Sequence, residues 1–543
     1  MKKYLLSIFL VIFSVFAGAK NVVAKEYFVS NTGSDTAVGT VAAPFKSFAK
    51  AVSALSSGDT LYIYGGTYTE KLSVSNIYSA LLPITIKPVL NQTVVIYANG
   101  KDAPVSIFGS YINLEGLEIK GSLPAVGNTI LDCVLIKGKN ININKFKVHE
   151  CYHFGIRLGG QNIVVENSEV FDNETENING KNTTGGWGSG IKGSSGASGN
   201  IIRNNHIYHN WGEGIAMTMS GSASIINNLV YDNYSVNIYI DNSFDIDVLK
   251  NMTYSTNPAY FRSGNPANCI TMGEENYTGW GYQLKNIKIM NNIMYHCKNG
   301  TGYTYSEGQN GGMDSVTIAN NTIWGSTASD LRIINQPYKT GNSLIANNII
   351  GNKVNVEVTN GIIYKNNFWT SVTPIFAVGV GDKIGDPKFI GIPDSNPNTY
   401  ALNSSSVAIN SGTVISSITD DYFSKARDIY PDIGAIEYIG TIDSNPFPIL
   451  DTIVPVVIIT SPKTGATVTR SRTTTITTTA TDNVGITKLE YYVNNVRKCS
   501  STTVKSCAWS VPSSTGVTYT ILVKAYDKAG NAGTATSVVK SVR

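Results

Sequence analysis

The chain has 543 residues, with 42 Lys and Arg against 38 Asp and Glu and a formal net charge of +4. That length exceeds one ordinary domain, and so small a charge without clustered Lys or Arg excludes a dedicated nucleic-acid binder. With 51 Gly, 30 Tyr and only 15% charged residues, the composition suits a turn-rich β protein rather than a helical one.

Lys2 and Lys3 precede an apolar run from Leu5 to Ala17, and small residues follow that suit cleavage after Ala19 or Ala24. Residues 1–24 therefore read as a secretory signal peptide. The run is too short for a membrane span, and no later segment approaches the ~18 apolar residues a span needs. The expectation is a secreted, monomeric protein, free or held at the cell surface. Such a location permits disulfides. Cys499 and Cys507 are close enough to staple one hairpin, while Cys133 with Cys151 and Cys269 with Cys297 are weaker pairings that spacing alone does not fix. No CxxC or Cys/His spacing of zinc type occurs.

An amphipathic helix is expected at about 45–55, before the strand-like "DTLYIYGGTY". A repeat follows. "RNNHIYHN", "INNLVYDN", "LKNMTYST", "MNNIMYHC", "ANNTIWGS", "ANNIIGNK" and "KNNFWTS" share one grammar, with an Asn column at Asn205, Asn228, Asn251, Asn292, Asn321, Asn348 and Asn366. An aromatic stands three positions on in six of the seven: Tyr208, Tyr231, Tyr254, Tyr295, Trp324 and Trp369. A period of this length signals a solenoid. Short alternating runs, without a helical window or a Leu grid, make the coils parallel strands stacked ~4.8 Å apart. Asn suits the bends because it tolerates left-handed backbone, and its amide can bond to the amide one coil along. The recurring aromatics are packing residues.

A second column sets a strand register. Ile156, Ile191 and Ile215 follow glycine, Ile238 and Ile270 continue the column, and all five should point inward. Their successors Arg157, Lys192, Ala216, Tyr239 and Thr271 then point outward, as do Gly159, Ser194, Thr218, Asp241 and Gly273 two residues further on. Extra length at 172–185 and 255–268 places an insertion on either side of this strip, as walls of a cleft. Glu213, Trp187 and Trp211 fall just before its strands. The closely spaced Asp clusters of inverting β-helix glycosidases are absent; a hydrolase needs two facing carboxylates, and only Asp241 faces outward in this register.

The stretch 26–70 and the ending "GDPKFIG…YALNSSSVAINSG…DIGAIEY" at 385–438 resemble the caps of secreted right-handed parallel β-helix proteins, among them alginate, chondroitin and pectate lyases. The resemblance spans about residues 26–440. After the Pro-containing linker 441–453, residues 454–543 carry "TDNVGI" and "YDKAGNAG" turns and are similar to bacterial Ig-like domains, which are β-sandwiches. The fold class implied is all-β: a β-helix at 25–440 with a short capping helix, then an Ig-like sandwich.

What the resemblance implies about activity is β-elimination in a uronate polymer. The substrate carboxylate is neutralised, a base removes the acidified C5 proton, and Ca²⁺ often assists from Asp, Glu or Asn oxygens. On this chain Lys192 is the candidate base and Arg157 the carboxylate clamp, since a guanidinium fork matches a carboxylate. Glu213, Asp232 and Asp241 are candidate Ca²⁺ ligands, and Trp187, Trp211 and Tyr239 candidate sugar-stacking rings. The alternative is a non-catalytic glycan-binding or adhesin-like surface protein on the same scaffold.

Overall fold

The computed structural model describes the chain except residues 1–23, 125–131, 183–187, 282–283, 308–310, 336–341, 352, 358–360, 372–375, 441–453, 483–484, 503–504 and 528–530. Residues 1–23 of the expected leader and the whole expected linker lie outside the described residues. Among the described residues no helix is long and apolar enough to cross a membrane.

Three parallel sheets of 13, 13 and 11 strands run the length of a β-helix. One coil shows the plan. Ser198–Arg203 lies in the first sheet (I), a two-residue corner leads to His206–Tyr208 in the second (II), and Glu213–Thr218 lies in the third (III) before the chain returns to sheet I at Gly221–Ile226. Strands of sheet I alternate buried and part-exposed residues, as the period of two requires, whereas the central strands of sheet III, Glu213–Thr218, Val236–Asp241 and Asn268–Glu274, are buried on both faces. The inward Ile, Val and Leu of all three sheets merge into one continuous core. The capping helix is Phe48–Ala54, capped by the Ser47 side chain and burying Phe48, Ala51 and Val52.

The corner between sheets I and II divides the work of the Asn pair. The first residue of the pair takes left-handed backbone, as at Asn204 (φ 56°), Asn227 (φ 58°) and Asn347 (φ 56°). The second turns inward, and its amide nitrogen donates to the amide oxygen of the next coil, from Asn205 through Asn228, Asn251, Asn292, Asn321 and Asn348 to Asn367. The last rung is thus Asn367, not Asn366, which is the left-handed member of its pair (φ 51°). Trp369 consequently falls in the inward column opposite Ile350 and is buried, whereas Tyr208, Tyr231, Tyr254, Tyr295 and Trp324 share an outward column of sheet II.

A second Asn ladder, which the sequence reading missed, turns the corner from sheet II to sheet III: Asn173 to Asn210 to Asn233 to Asn237. Two disulfides, Cys133–Cys151 and Cys269–Cys297, sit at this corner. The segment after Gly385 folds back over the outward face of sheet II, laying Tyr400, Tyr422 and Phe389 against Tyr254, Tyr295 and Trp324.

The C-terminal unit is a β-sandwich of three- and five-stranded sheets around Tyr491, Trp509, Ile521 and Val523. Its disulfide, Cys499–Cys507, does not staple a hairpin. Val496–Ser501 belongs to the five-stranded sheet and Ser506–Ser510 to the three-stranded one, so the bond joins the two layers.

Candidate functional site

Sheet III aligns the isoleucines as the period of two demands. Ile156, Ile191, Ile215, Ile238 and Ile270 pair in register across successive strands and are fully buried. Arg157, Lys192, Ala216, Tyr239 and Thr271 form the adjacent outward column, and Thr218, Asp241 and Gly273 lie opposite one another two residues on. Arg157 and Lys192, 35 residues apart in sequence, are therefore neighbours one strand spacing apart, ~4.8 Å.

Each cation has a local tether that leaves it part-exposed. The Arg157 side chain is 38% exposed; its Nη1 donates to Asp132 Oδ2 at 3.4 Å and its Nε to Ser194 Oγ at 3.3 Å. The guanidinium also lies over the Phe154 ring. Asp132 is buried, and burial raises its carboxyl above the usual range. Lys192 Nζ donates to Thr218 Oγ1 at 2.6 Å. Ala216, beside Lys192 in the column, is fully buried against Val236 and Tyr239.

The aromatic candidates behave differently. Trp211 is buried with its ring against Tyr234 and Tyr260. Tyr239 is buried with Ala216 and Val236, and its ring lies over Gly273, where an added Cβ would stand 2.4 Å from the phenol oxygen. Neither presents a free ring face for a sugar. Trp187 lies outside the described residues.

The two insertions do not stand apart as cleft walls. Tyr260, from the second, donates to Asp172 Oδ1 in the first at 3.1 Å and stacks on His209. They meet at the corner before sheet III because the two coils between them are short. The cover over the strip comes instead from residues 275–281, beyond the strand Asn268–Glu274. Glu275 N donates to Asn242 Oδ1 at 2.8 Å and to Asp241 Oδ1 at 3.2 Å, and Trp280 Nε1 donates to the Asn242 carbonyl. Tyr277 Oη lies 2.7 Å from Asp241 Oδ2 and 2.8 Å from Glu275 Oε2. Tyr239 Oη reaches Glu275 Oε1 at 3.3 Å. Asp241 is fully buried here, and burial pushes its carboxyl up to about 7. Glu275 and Tyr277 were missed from sequence; their signal was the acidic and aromatic run "EENYTGWGY", which interrupts the repeat after Gly273.

The expected Ca²⁺ ligands do not converge. Glu213 pairs with Ser189 at a strand start and accepts from its hydroxyl at 3.1 Å. The same level on the next strand is Val236, five residues or ~17 Å short of Asp241. Asp232 precedes that strand and accepts from the backbone of Thr256 and Asn257 at 2.6 and 2.9 Å, anchoring the second insertion. One ion cannot touch all three. Among the described residues no group of three or more His, Cys, Asp or Glu is placed to hold a metal ion.

Near Glu213 lies Glu174, fully buried in left-handed backbone (φ 57°), its carboxyl facing the backbone N–H groups of Trp211 and Gly212. Burial first, then the charges of Glu213 and Glu176, raise its carboxyl well above the ordinary range.

Residues 27–247 match the family described as "Pel9A-like, right handed beta helix region", and residues 455–536 match "Bacterial Ig domain". Pectate lyase PEL9 of Emericella nidulans (strain FGSC A4) is 28% identical over 210 residues, 36% of this chain and 50% of that protein. The chain thus spans about half the length of the curated relative it matches. Among solved structures, XylC in complex with xylose superposes with a TM-score of 0.53 at 13% identity, covering 76% of this chain and 98% of that one. The structure of pectate lyase Pel9A gives a TM-score of 0.49 at 17% identity over 77% of this chain and 97% of that one. Over residues 27–247 the chain is thus similar to the Pel9A-like β-helix region, and over residues 455–536 to a bacterial Ig domain.

Proposed function

We propose that this protein is a secreted polysaccharide lyase that cleaves a uronate-containing polymer by β-elimination on the outward face of sheet III. The observation that carries the reading is the adjacency of Arg157 and Lys192 in one outward column, both part-exposed, on a scaffold related in sequence to a pectate lyase. The three disulfides fit an oxidising, extracellular setting.

Elimination needs charge neutralisation at the carboxylate and a base at C5. Arg157 offers a planar fork to the carboxylate, and its tie to buried Asp132 orients that fork. With the carboxylate held, electron density arriving at C5 is delocalised toward a cation. Lys192 in its amine form takes the C5 proton, and Thr218 fixes the position of its nitrogen. The C4–O4 bond breaks as the C4–C5 double bond forms. No step is routed through a metal ion, because the candidate ligands do not gather.

The test is incubation with pectate, alginate and glycosaminoglycans, with and without Ca²⁺, following the ultraviolet absorbance of the unsaturated uronate. Growth of that signal with one polymer, abolished by Lys192→Ala, supports the proposal. Silence with every acidic polymer, alongside measurable glycan binding, favours the non-catalytic alternative.

A further inference from the structure

The outward strip of sheet III is closed in one direction and open in the other. Beyond Lys192 its two columns continue as Ala216 and Thr218, then Tyr239 and Asp241, and all four are buried. A polymer seated at Arg157 and Lys192 finds no accessible outward side chains on those coils. Toward the N-terminal coils the strip stays accessible. The second column there reads Phe108, Lys137, Gly159 and Ser194. Each stands one residue past an inward position and donates its backbone N–H to the preceding coil, to the carbonyls of Val74, Ile107, Ile136 and Leu158 in turn.

Two of these four residues suit a sugar acid. Phe108 is 47% exposed, and among the described residues no other aromatic ring stacks on it. Trp211 and Tyr239 spend their rings on the protein, whereas Phe108 keeps an apolar face for the C–H face of a pyranose. Lys137, one coil on, is exposed, and among the described residues its ammonium makes no ion pair. Its stem leans toward the coil of Arg157: a Cβ placed on Gly159 would stand 3.5 Å from Lys137 Cγ. Coils advance by ~4.8 Å, so Lys137 stands about 10 Å and Phe108 about 14 Å before Lys192. Both intervals exceed one pyranose, so the pair meets sugars removed from the bond being cut.

Charge points the same way. Lys137, Arg157 and Lys192 set cations on three successive coils. Among the described residues only Arg157 of the three has a carboxylate at ion-pair distance, Asp132. A row of cations that the protein itself does not neutralise complements a polymer carrying repeated carboxylates, and has no such partner in a neutral glycan.

We propose that Phe108 and Lys137 form a distal subsite for the uronate polymer: the Phe108 ring stacks on one sugar, and the Lys137 ammonium takes the carboxylate of a sugar between that ring and Arg157. The subsite rests on the elimination reading above for its substrate class. Its two residues hold the polymer and take no part in bond breaking.

The experiment uses the polymer that the wild type cleaves, as the shortest oligomer turned over and as a hexamer, and compares wild type with Phe108→Leu and Lys137→Ala. Leucine keeps apolar cover on the strand and removes the flat face. Each variant is expected to raise KM for the hexamer about 5-fold, the worth of one stacking or one exposed ionic contact. The kcat should hold, and the shortest oligomer should be handled as by wild type. The Lys137→Ala effect should shrink at about 1 M salt, where the screening length is ~3 Å, while that of Phe108→Leu persists. Equal KM changes on short and long oligomers, a fall in kcat alone, or an unchanged hexamer KM overturn the subsite and leave the elimination reading standing. If the wild type forms no unsaturated product with any polymer, the elimination reading falls by itself. Calorimetric titration of the same three proteins with hexamers cut from pectate, alginate and a glycosaminoglycan then decides the subsite. Hexamer binding weakened by both substitutions keeps it as a glycan-holding surface. Binding that either substitution leaves unchanged, or no binding at all, overturns it.

Discussion

Sheets II and III each send one column of side chains outward along the same solenoid, and the two columns obey different rules. In sheet II the column reads His149, Phe171, Tyr208, Tyr231, Tyr254, with ring centroids 5.1, 5.2, 5.1 and 4.7 Å apart and planes within 16° of parallel. Every coil supplies the same kind of group, and each ring spends its faces on its neighbours. In sheet III the corresponding column reads Arg157, Lys192, Ala216, Tyr239, Thr271, with no two alike. Stacked coils place equivalent residues at equal spacing, so repetition is the inexpensive way to satisfy an outer face. A column that declines to repeat gives up that mutual support, and chemistry that needs several different groups within one strand spacing is what such a column can offer.

The sharpest way to break this comparison is to make the irregular column lose its chemistry and nothing else. Lys192→Ala is expected to lower kcat by ~10²–10⁴-fold, the range for a removed proton-transfer group, and to move the unfolding midpoint little, because Lys192 is part-exposed and bonded to one hydroxyl. Rates of unsaturated-product formation and a denaturant titration check the two halves. A large stability loss with Lys192→Ala would mean the irregular column is architecture after all.

Architecture itself lies one layer in. Asn251 is fully buried; its nitrogen donates to Asn292 Oδ1 and the Ile225 carbonyl, while its oxygen accepts from Asn228 N and Nδ2. Asn251→Ala leaves several buried polar groups without partners, at an expected cost of about 3 kcal/mol. The measurement is the shift in denaturant midpoint. Activity per folded molecule should remain, since the ladder runs along the opposite corner from Lys192.

How much of this could be read beforehand depends on how local the determinant was. The inward register of Ile191, Ile215, Ile238 and Ile270 was legible because a period of two fixes facing once the strands are recognised. The Asn pair was half legible: one column was assigned both the left-handed bend and the amide ladder, whereas Asn227 and Asn228 take one role each. That merger slid the last coil by one residue, and Trp369 was read with the outward tyrosines although it is a core side chain. Contacts between loops were not legible. Nothing in the spacing said that Tyr260 would reach Asp172, that residues 275–281 would fold over Asp241, or that Cys499 and Cys507 would join two layers.

Glu174 sharpens the comparison at the corner between the two sheets. Its raised carboxyl means that the folded state holds a proton the unfolded chain has already lost. The sign follows: stability falls as pH rises from the ordinary carboxylate range toward the folded-state pKa, because ionisation is resisted by burial and by Glu213 and Glu176. Glu174→Gln keeps the shape and removes the charge. It should stabilise the protein at neutral and alkaline pH by on the order of 1 kcal/mol and have little effect at acid pH. Melting temperature followed against pH for both proteins tests this, and a constant offset at every pH would argue against it.

The smallest effect belongs to the repetitive column. Tyr231 stacks on Tyr208 and Tyr254 with centroids 5.1 and 4.7 Å away, yet it is part-exposed and stands outside the core. Tyr231→Leu removes two ring contacts worth ~0.5–1.5 kcal/mol each beyond area. Solvent can fill the space on the outer side, so no buried cavity adds to the cost, and leucine still covers the strand. The expected loss is about 1 kcal/mol with an unchanged denaturant slope, and kcat and KM should match wild type. If instead Tyr231→Leu weakened binding of polymer while leaving stability alone, the ring ladder would be a ligand surface, and repetition along a column would no longer mark architecture.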